Sequence, residues 1–101
     1  MLLTNLTTLD LSNNSGITDV RLSMLTSLRS LNLSWNTDIT NTGISTLTNL
    51  TSLDLTGNKM IEDAGVSPLT NLTSLNLSYN DMISDFVEST LPMCTVICVE
   101  R

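Results

Sequence analysis

The chain is built on a 22-residue period, and this period constrains the fold more than any other feature of the sequence. Four columns of residues keep the step without a slip: Leu9, Leu31, Leu53 and Leu75; Leu11, Leu33, Leu55 and Leu77; Asn14, Asn36, Asn58 and Asn80; and Ile17, Ile39, Ile61 and Ile83. A fixed period of about 20 to 29 residues built on leucine is typical of a solenoid, in which each repeat stacks on the next. The sequence therefore predicts a stacked-repeat fold.

The repeats define the organisation of the chain. Complete repeats begin at Leu3, Leu25, Leu47 and Leu69, and a fifth repeat begins at Leu91. Continuing the same step places Cys94, Ile97 and Val99 after Leu72, Leu75 and Leu77. We therefore expect Ile97 to point into the core and Cys98 to point to the opposite face of a fifth strand. Because five strands exceed the roughly three repeats that stability requires, residues 1–101 are predicted to form one domain, part of a longer array.

Each repeat contains one short strand. In the second repeat, residues 30–34 read Ser-Leu-Asn-Leu-Ser, which is the period-2 alternation of a half-buried strand. Identical strands that run in one direction must pair as a parallel sheet with neighbours about 4.8 Å apart. The predicted fold class is thus an α/β solenoid with a five-stranded parallel sheet on its concave face and short helical or 3₁₀ turns on its convex face.

An asparagine follows the strand in every repeat. A buried side-chain amide can both donate and accept, so Asn36 and Asn58 are predicted to bond backbone groups that a tight turn leaves unpaired, in their own repeat and in the next. Stacked in this way, the asparagines form a ladder that stabilises the solenoid. The alternative, a ligand site built from four asparagines, is disfavoured because the backbone of the turn must be satisfied in any case.

A second polar column begins the convex segment. Its members are Asp19, Asn41, Asp63 and Asp85, all of them residues that cap helix N-termini, so they are predicted to be helix caps. Calcium binding is the alternative for such an acidic column. It is disfavoured because Asn41 interrupts the column and because the ligands would lie along a line rather than around a point.

Charge and composition exclude several classes of function. Ten acidic and four basic residues give a net charge of −6, and the basic residues are scattered, so the chain lacks the basic stripe that nucleic-acid binding requires. No stretch reaches the roughly 18 to 20 apolar residues that span a bilayer, so we expect no membrane insertion. The N-terminal MLLTNL lacks the charged region of a signal peptide, and the localisation stays open.

The chain also lacks the residues of an active site or a metal centre. It contains no histidine, and Cys94 and Cys98, about 13 Å apart in a strand, cannot form a disulfide with each other. Two thiols alone do not make a metal site. No serine, cysteine or glycine motif of a known reaction is present, so we expect neither catalysis nor a cofactor.

The segments LTNLTSLDLTGN (47–58) and VSPLTNLTSLNLSYN (66–80) resemble the repeats of the leucine-rich-repeat superfamily, and the resemblance covers essentially the whole chain. They are similar to the repeats of bacterial internalin-type surface proteins and of some protist surface proteins. The step from Asn36 to Ile39 is one position longer than is usual in internalin-type repeats, and the I-T-D-x-G tail resembles the cysteine-containing repeats. The resemblance implies a curved solenoid whose concave sheet commonly binds another protein.

The predicted binding site lies on the concave sheet and beside it. Asn32, Asp54 and Asn76 expose short polar groups, and Trp35, Gly57 and Tyr79 occupy one column of three successive repeats. With the aromatic residues about 10 Å apart and a glycine between them, we predict a notch that accepts a lysine or arginine side chain of a protein partner near Asp54. In the alternative interpretation, the two aromatic residues cover the ascending loop and Gly57 serves a turn.

A structural or self-associating module is the second function that the sequence allows. Leucines at one end and Ile97 and Val99 at the other leave apolar edges without polar caps, so the chain is predicted to extend or to dimerise through its end strands or through Cys98. Five sequons of the form Asn-Leu-Ser or Asn-Leu-Thr begin at Asn5, Asn32, Asn49, Asn71 and Asn76. They either arise by accident from the repeat or carry glycans, and glycans on Asn32 and Asn76 would block the sheet.

Overall fold

The computed structural model describes residues 5–13, 16–80, 82–84, 91 and 94–98. The strands are β1 (Thr8–Asp10), β2 (Ser30–Asn32), β3 (Ser52–Asp54), β4 (Ser74–Asn76) and β5 (Thr95–Ile97), and the helices are α1 (Asp19–Ser23), α2 (Asn41–Ile44) and α3 (Asp63–Val66). The five strands form one parallel sheet in sequence order. This arrangement confirms the predicted α/β leucine-rich-repeat solenoid with a five-stranded parallel sheet and short helical turns.

The core lies between the sheet and the helices and consists of the predicted leucine and isoleucine columns. Leu31, Leu53 and Leu75 point inward from three successive strands and are at most 2% exposed. Each pairs with its counterpart in the neighbouring repeat, in unbroken register from Leu9 to Leu75. The alternation of the sequence thus sets which face of the sheet is buried.

The last strand departs from the 22-residue register by one residue. Val96, rather than Ile97, lies opposite Leu75, so this strand follows a 21-residue step. Because successive side chains of a strand point to opposite faces, this slip exchanges the two faces of the strand. Val96 and Cys98 pack against the core, and Ile97 is 47% exposed. The predictions that Ile97 points inward and that Cys98 points outward are therefore wrong. Val99 lies outside the described residues.

The asparagine ladder is confirmed in the middle of the solenoid. The side-chain amide of Asn58, which is fully buried, donates to the backbone carbonyl of Asn36 at 2.8 Å. Its oxygen accepts from the backbone N–H groups of Met60 and Ile61 at 2.9 and 3.0 Å. Asn36 donates to the carbonyl of Leu11 at 3.3 Å and accepts from the Asp38 N–H, and Asn80 accepts from the Met82 N–H. The amides of Asn36 and Asn58 thus reach the preceding repeat rather than the next one. Asn14 lies outside the described residues.

The second polar column does not cap its own helices. The N-cap residues are Thr18, Thr40 and Glu62, one position earlier. Asp19 instead accepts from the backbone N–H of Thr40 in the next repeat at 2.9 Å. In the same way, Asn41 accepts from Glu62, and Asp63 accepts from Ser84. The capping prediction is therefore wrong for Asp19, Asn41 and Asp63, which link neighbouring repeats as a convex ladder. Asp85 lies outside the described residues.

Glycine makes room for this convex ladder. A Cβ atom on Gly43 would lie 2.5 Å from Oδ1 of Asp19, and one on Gly65 would lie 2.5 Å from Oδ1 of Asn41. The side chain of one repeat thus passes directly over the glycine of the next. The recurrence of Gly43 as Gly65 in the following repeat is the sequence signal that would have revealed the convex ladder.

Candidate functional site

A row of four residues crosses the open face of the sheet, defined as the face opposite the core. The row residues are the last residues of strands β1 to β4, and they pair in sequence order: Asp10, Asn32, Asp54 and Asn76. In each case Oδ1 accepts from the backbone N–H two residues ahead, at 2.9 to 3.0 Å. These Asx turns end the strands and hold every row side chain in the same orientation. The structure therefore brings the predicted Asn32, Asp54 and Asn76 into one ordered line.

The two carboxylates of the row are held by hydroxyl groups as well as by the backbone. Oδ1 of Asp54 accepts from the hydroxyl of Thr56 at 2.6 Å in addition to the Thr56 N–H. At the edge of the sheet, hydrogen bonds from the Ser12 hydroxyl and then from the Ser12 N–H lower the pKa of Asp10 below its ordinary value of 3.8. Asp10 is therefore a carboxylate at neutral pH, on the open face.

The aromatic pair lies beside the open face and adopts an uncommon backbone conformation. Asn13, Trp35, Gly57 and Tyr79 occupy one column, and all four have φ between 57° and 71°. Asparagine and glycine tolerate this left-handed region, whereas a large aromatic residue there is an outlier. Trp35 is 51% exposed and Tyr79 is 43% exposed. The column therefore presents two aromatic side chains to solvent from positions that would favour smaller residues.

The predicted aromatic notch is closed. A side chain on Gly57 would overlap the indole ring of Trp35, which shows that the indole covers the glycine. The ring centroids of Trp35 and Tyr79 are 5.9 Å apart with an interplanar angle of 34°. The prediction of two widely separated walls is therefore wrong. The space above Gly57 allows the indole to cover the glycine and to approach the ring of Tyr79. The two rings form a continuous platform.

A lysine side chain contacts the backbone of the platform residue Tyr79. Nζ of Lys59 donates to the backbone carbonyl of Tyr79 at 3.0 Å, so the ammonium group is held next to the left-handed residue. Two further apolar side chains, Met60 and Met82, are 50% and 46% exposed and occupy one column three residues beyond the platform column. Sequence reasoning missed this lysine contact, because it joins two residues that lie in different repeats and in different columns.

The two cysteines lie on the core side of the sheet at its C-terminal end. Cys94, Val96 and Cys98 are partly buried and pack against the core. Burial raises the pKa of the Cys94 thiol above its ordinary value of 9.0. A partly buried thiol with a raised pKa reacts slowly, because the thiolate is the reactive form. Cys98 is not part of the open face.

The helical side of the solenoid carries a shallow cavity of about 320 Å³ lined by Asp19, Val20, Ser23 and Thr42. Val20, which lines this cavity, is 71% exposed, and Met24, the residue that follows α1, is 67% exposed. Asp19 is already engaged by Thr40, which leaves little polar specificity in the cavity.

Two kinds of site are absent from the described part of the chain. Among those residues, no group of three or more histidine, cysteine, aspartate or glutamate side chains is placed to hold a metal ion. None of the helices described above is long and apolar enough to cross a membrane.

Comparisons with known proteins agree with this geometry. The family profile "Leucine Rich repeats (2 copies)" matches residues 26–69, and the profile "Leucine Rich repeat" matches residues 3–23 and 69–85. No curated protein matches the sequence significantly.

Among solved structures, internalin C2 of Listeria monocytogenes is similar to this chain, with 32% identity and a TM-score of 0.75. The match covers 95% of this chain and 42% of that one. The functional domain of InlJ from Listeria monocytogenes, which includes a cysteine ladder, matches at 22% identity with a TM-score of 0.42, over 96% of this chain and 30% of that one. This chain thus spans less than half the length of either structure. On its repeats, its parallel sheet and its family profiles, the chain belongs to the leucine-rich-repeat superfamily.

Proposed function

We propose that this chain is a non-catalytic protein-recognition module that binds its partner through the open face of the sheet and the aromatic platform. Leucine-rich-repeat domains of the internalin type are in general protein-interaction modules. The proposed contact residues are Asn32, Asp54 and Asn76 of the row, and Trp35 and Tyr79 of the platform, with Gly57 as the residue that lets the indole lie flat.

One observation carries this proposal: two exposed aromatic residues occupy left-handed backbone positions. Such a position costs a large side chain on the order of 1 to 3 kcal/mol, and residues of this kind cluster at functional sites. The same column uses Asn13 and Gly57, which adopt the conformation at low cost. Neither Trp35 nor Tyr79 belongs to the buried core, so core packing does not account for the choice.

The chemistry of the surface suits a protein partner. Tryptophan and tyrosine are the commonest anchors of interfaces, because they bury a large area with little loss of side-chain entropy. The row beside them offers short polar groups whose orientation is already held by Asx turns, which lowers the entropic cost of binding. A lysine or arginine of the partner can contact the outer faces of the rings, rather than insert between them, and can approach Asp54.

The experiment replaces each platform residue by one that suits its backbone. Tyr79→Asn relieves left-handed strain of about 1 to 3 kcal/mol and loses a ring contact of about 0.5 to 1.5 kcal/mol, so the unfolding midpoint should not fall. Binding to proteins captured from the source organism should weaken by about 2 kcal/mol or more, roughly thirtyfold. Trp35→Asn should behave similarly.

Asn13→Gly is the matched control, because it changes a residue of the same column and leaves both aromatic rings in place. Proteins retained by the wild type and by Asn13→Gly, but lost from Tyr79→Asn and Trp35→Asn, would support the proposal. Equal capture by all four proteins would place the binding surface elsewhere.

Self-association is the second candidate function. In the sheet as described, β1 and β5 each have one unpaired edge, and Ile97 of β5 is exposed on the open face. Free strand edges promote pairing with other chains. Light scattering with and without reductant tests this candidate: a dimer that persists with reductant supports pairing through the strands, a dimer that reductant dissolves supports a bond through Cys98, and a monomer under both conditions contradicts self-association.

A further inference from the structure

We infer that the segment recognised on the open face is an extended, proline-rich stretch of a partner protein in the polyproline II conformation, lying across the strands. This inference rests on the proposed function and adds the chemical class of the partner segment. It is argued from the row of Asp10, Asn32, Asp54 and Asn76 and from the aromatic platform.

The first step is the chemistry that the Asx turns leave available. Each row residue accepts from a backbone N–H, which can only donate, so the accepting atom of Asn32 and Asn76 must be oxygen. The amide nitrogens of these two residues take no part in those bonds, nor does the second carboxylate oxygen of Asp54. Read across the strands, the row therefore offers an acceptor, a donor, an acceptor and a donor in turn.

The second step is the spacing. Neighbouring strands lie about 4.8 Å apart, so groups of the same kind recur about every 9.6 Å along the row. A polyproline II helix rises about 3.1 Å per residue with three residues per turn, so its equivalent backbone groups recur about every 9.3 Å. A β-strand repeats its equivalent groups about every 6.8 Å, so its spacing does not match the spacing of about 9.6 Å along the row.

The third step is the state of the partner's backbone. A polyproline II segment has no internal hydrogen bonds, so every third carbonyl can accept from Asn32 and Asn76. Every third N–H, where that residue is not proline, can donate to Asp10 and Asp54. An α-helix satisfies these groups internally and has none to offer along its length. The row thus favours polyproline II over the two commoner peptide conformations.

The platform lies beside the row. Trp35 and Tyr79 lie three residues beyond Asn32 and Asn76 in the same two repeats, and their ring centroids are 5.9 Å apart, so the two rings form one aromatic surface next to the donors. Aromatic surfaces are the usual docking sites for proline rings in polyproline II recognition. One segment can therefore place its carbonyl groups over the row and one proline ring against the platform.

The direct test uses defined peptides and the emission of Trp35, the single tryptophan of the chain. The probe is a capped peptide of three Pro-Pro-Ala triplets, and the control peptide has the same composition with its three alanines adjacent. The triplet peptide should change the emission saturably and bind about fivefold or more tightly than the control, because the control misplaces its N–H groups. Equal affinity for the two peptides, or no binding of either up to about 10 mM, would overturn the inference.

Isosteric variants test the row itself. Asn76→Asp keeps the side-chain oxygen that accepts the Asx-turn hydrogen bond and replaces the amide donor by an acceptor. Asp54→Asn keeps the corresponding oxygen and replaces the second carboxylate oxygen, an acceptor, by a donor. Each should weaken binding of the triplet peptide about fivefold. Because the two variants change the charge in opposite directions, a general electrostatic effect cannot weaken both. Ala64→Asp, on the exposed side of α3, is the control for added charge and should bind as the wild type does.

The inference and the proposed function fail in different ways. A protein partner that is lost on Tyr79→Asn, yet binds Asn76→Asp and Asp54→Asn with wild-type affinity, would overturn the polyproline II inference and leave the recognition module standing. A partner that binds Tyr79→Asn with wild-type affinity would contradict the proposed function itself.

Discussion

The side-chain amide of Asn58 donates to the backbone carbonyl of Asn36, 2.8 Å away and 22 residues earlier in the chain. This bond joins the turns of two neighbouring repeats, and both asparagines are buried. The asparagine ladder therefore links neighbouring repeats by hydrogen bonds, as the leucine columns of the core link them by apolar packing.

Replacement of a middle ladder residue should destabilise the whole domain. Asn58→Leu removes the acceptor of the Met60 and Ile61 N–H groups and the donor to Asn36. We expect a loss of about 1 to 3 kcal/mol in the free energy of unfolding for each buried group left unpaired. Chemical denaturation measures the loss, with the exposed Thr37→Ala as the control. Unchanged midpoints in both Asn58→Leu and Asn36→Leu would contradict a stabilising ladder.

The Gly57→Ala variant should move the indole of Trp35. An alanine at φ 71° is strained, and its Cβ would overlap the indole ring. We expect a loss of more than about 1 kcal/mol in the free energy of unfolding and a red shift of the tryptophan emission as the ring is displaced into solvent. In a Trp35→Ala background, only the backbone part of the loss should remain. An equal loss in both backgrounds would show that the ring does not press on Gly57.

Gly43→Ala should break one rung of the convex ladder. The added Cβ would lie 2.5 Å from Oδ1 of Asp19 and 2.9 Å from Cγ2 of Ile39, so the Asp19 carboxylate must leave the Thr40 N–H. We expect a loss of about 1 to 3 kcal/mol, typical of a backbone N–H left unpaired or of overpacking. Double-mutant analysis with Asp19→Ala should give a coupling energy above about 0.5 kcal/mol. Strict additivity would argue against the contact.

Acid should remove a stabilising contribution of Asp10. Because the Ser12 hydrogen bonds lower the pKa in the folded state, the carboxylate stabilises the fold above the unfolded-state pKa, and this contribution is lost as the pH falls through the folded-state pKa. In NMR titration, the Asp10 carboxyl should titrate below 3.8. In a Ser12→Ala variant, its pKa should rise toward that ordinary value. A wild-type pKa at or above 3.8 would contradict the Ser12 hydrogen bonds.

Both cysteines should react slowly in the folded protein. Cys94 and Cys98 both pack against the core, Cys98 directly after the strand that follows the 21-residue register, and burial raises the pKa of Cys94. A thiol reagent at about pH 8 should therefore modify each residue more slowly before unfolding than after it, as mass spectrometry of the labelled peptides will show. Fast labelling of Cys98 at the rate of the unfolded chain would instead restore the 22-residue register for the last strand.

Much of the fold could be predicted from the sequence, because the 22-residue period indicates which residues of neighbouring repeats contact one another. The leucine columns predicted the sheet and its register as far as Leu75, and the asparagine column predicted the ladder through Asn36 and Asn58. Both patterns follow from local rules: side chains alternate along a strand, and a tight turn needs a polar partner for its backbone.

Other features depended on contacts that the sequence pattern does not encode. In the last strand, Val96 and Ile97 are equally suited to the core, so hydrophobicity could not distinguish the two registers, and only the strand pairing places Val96 opposite Leu75. The partner of Asp19 lies in the next repeat, beside a glycine whose role is only to leave space. The platform also depends on contacts between repeats. The orientation of the Trp35 indole is set by its left-handed backbone and by the free volume above Gly57, and both exist only after the repeats have stacked.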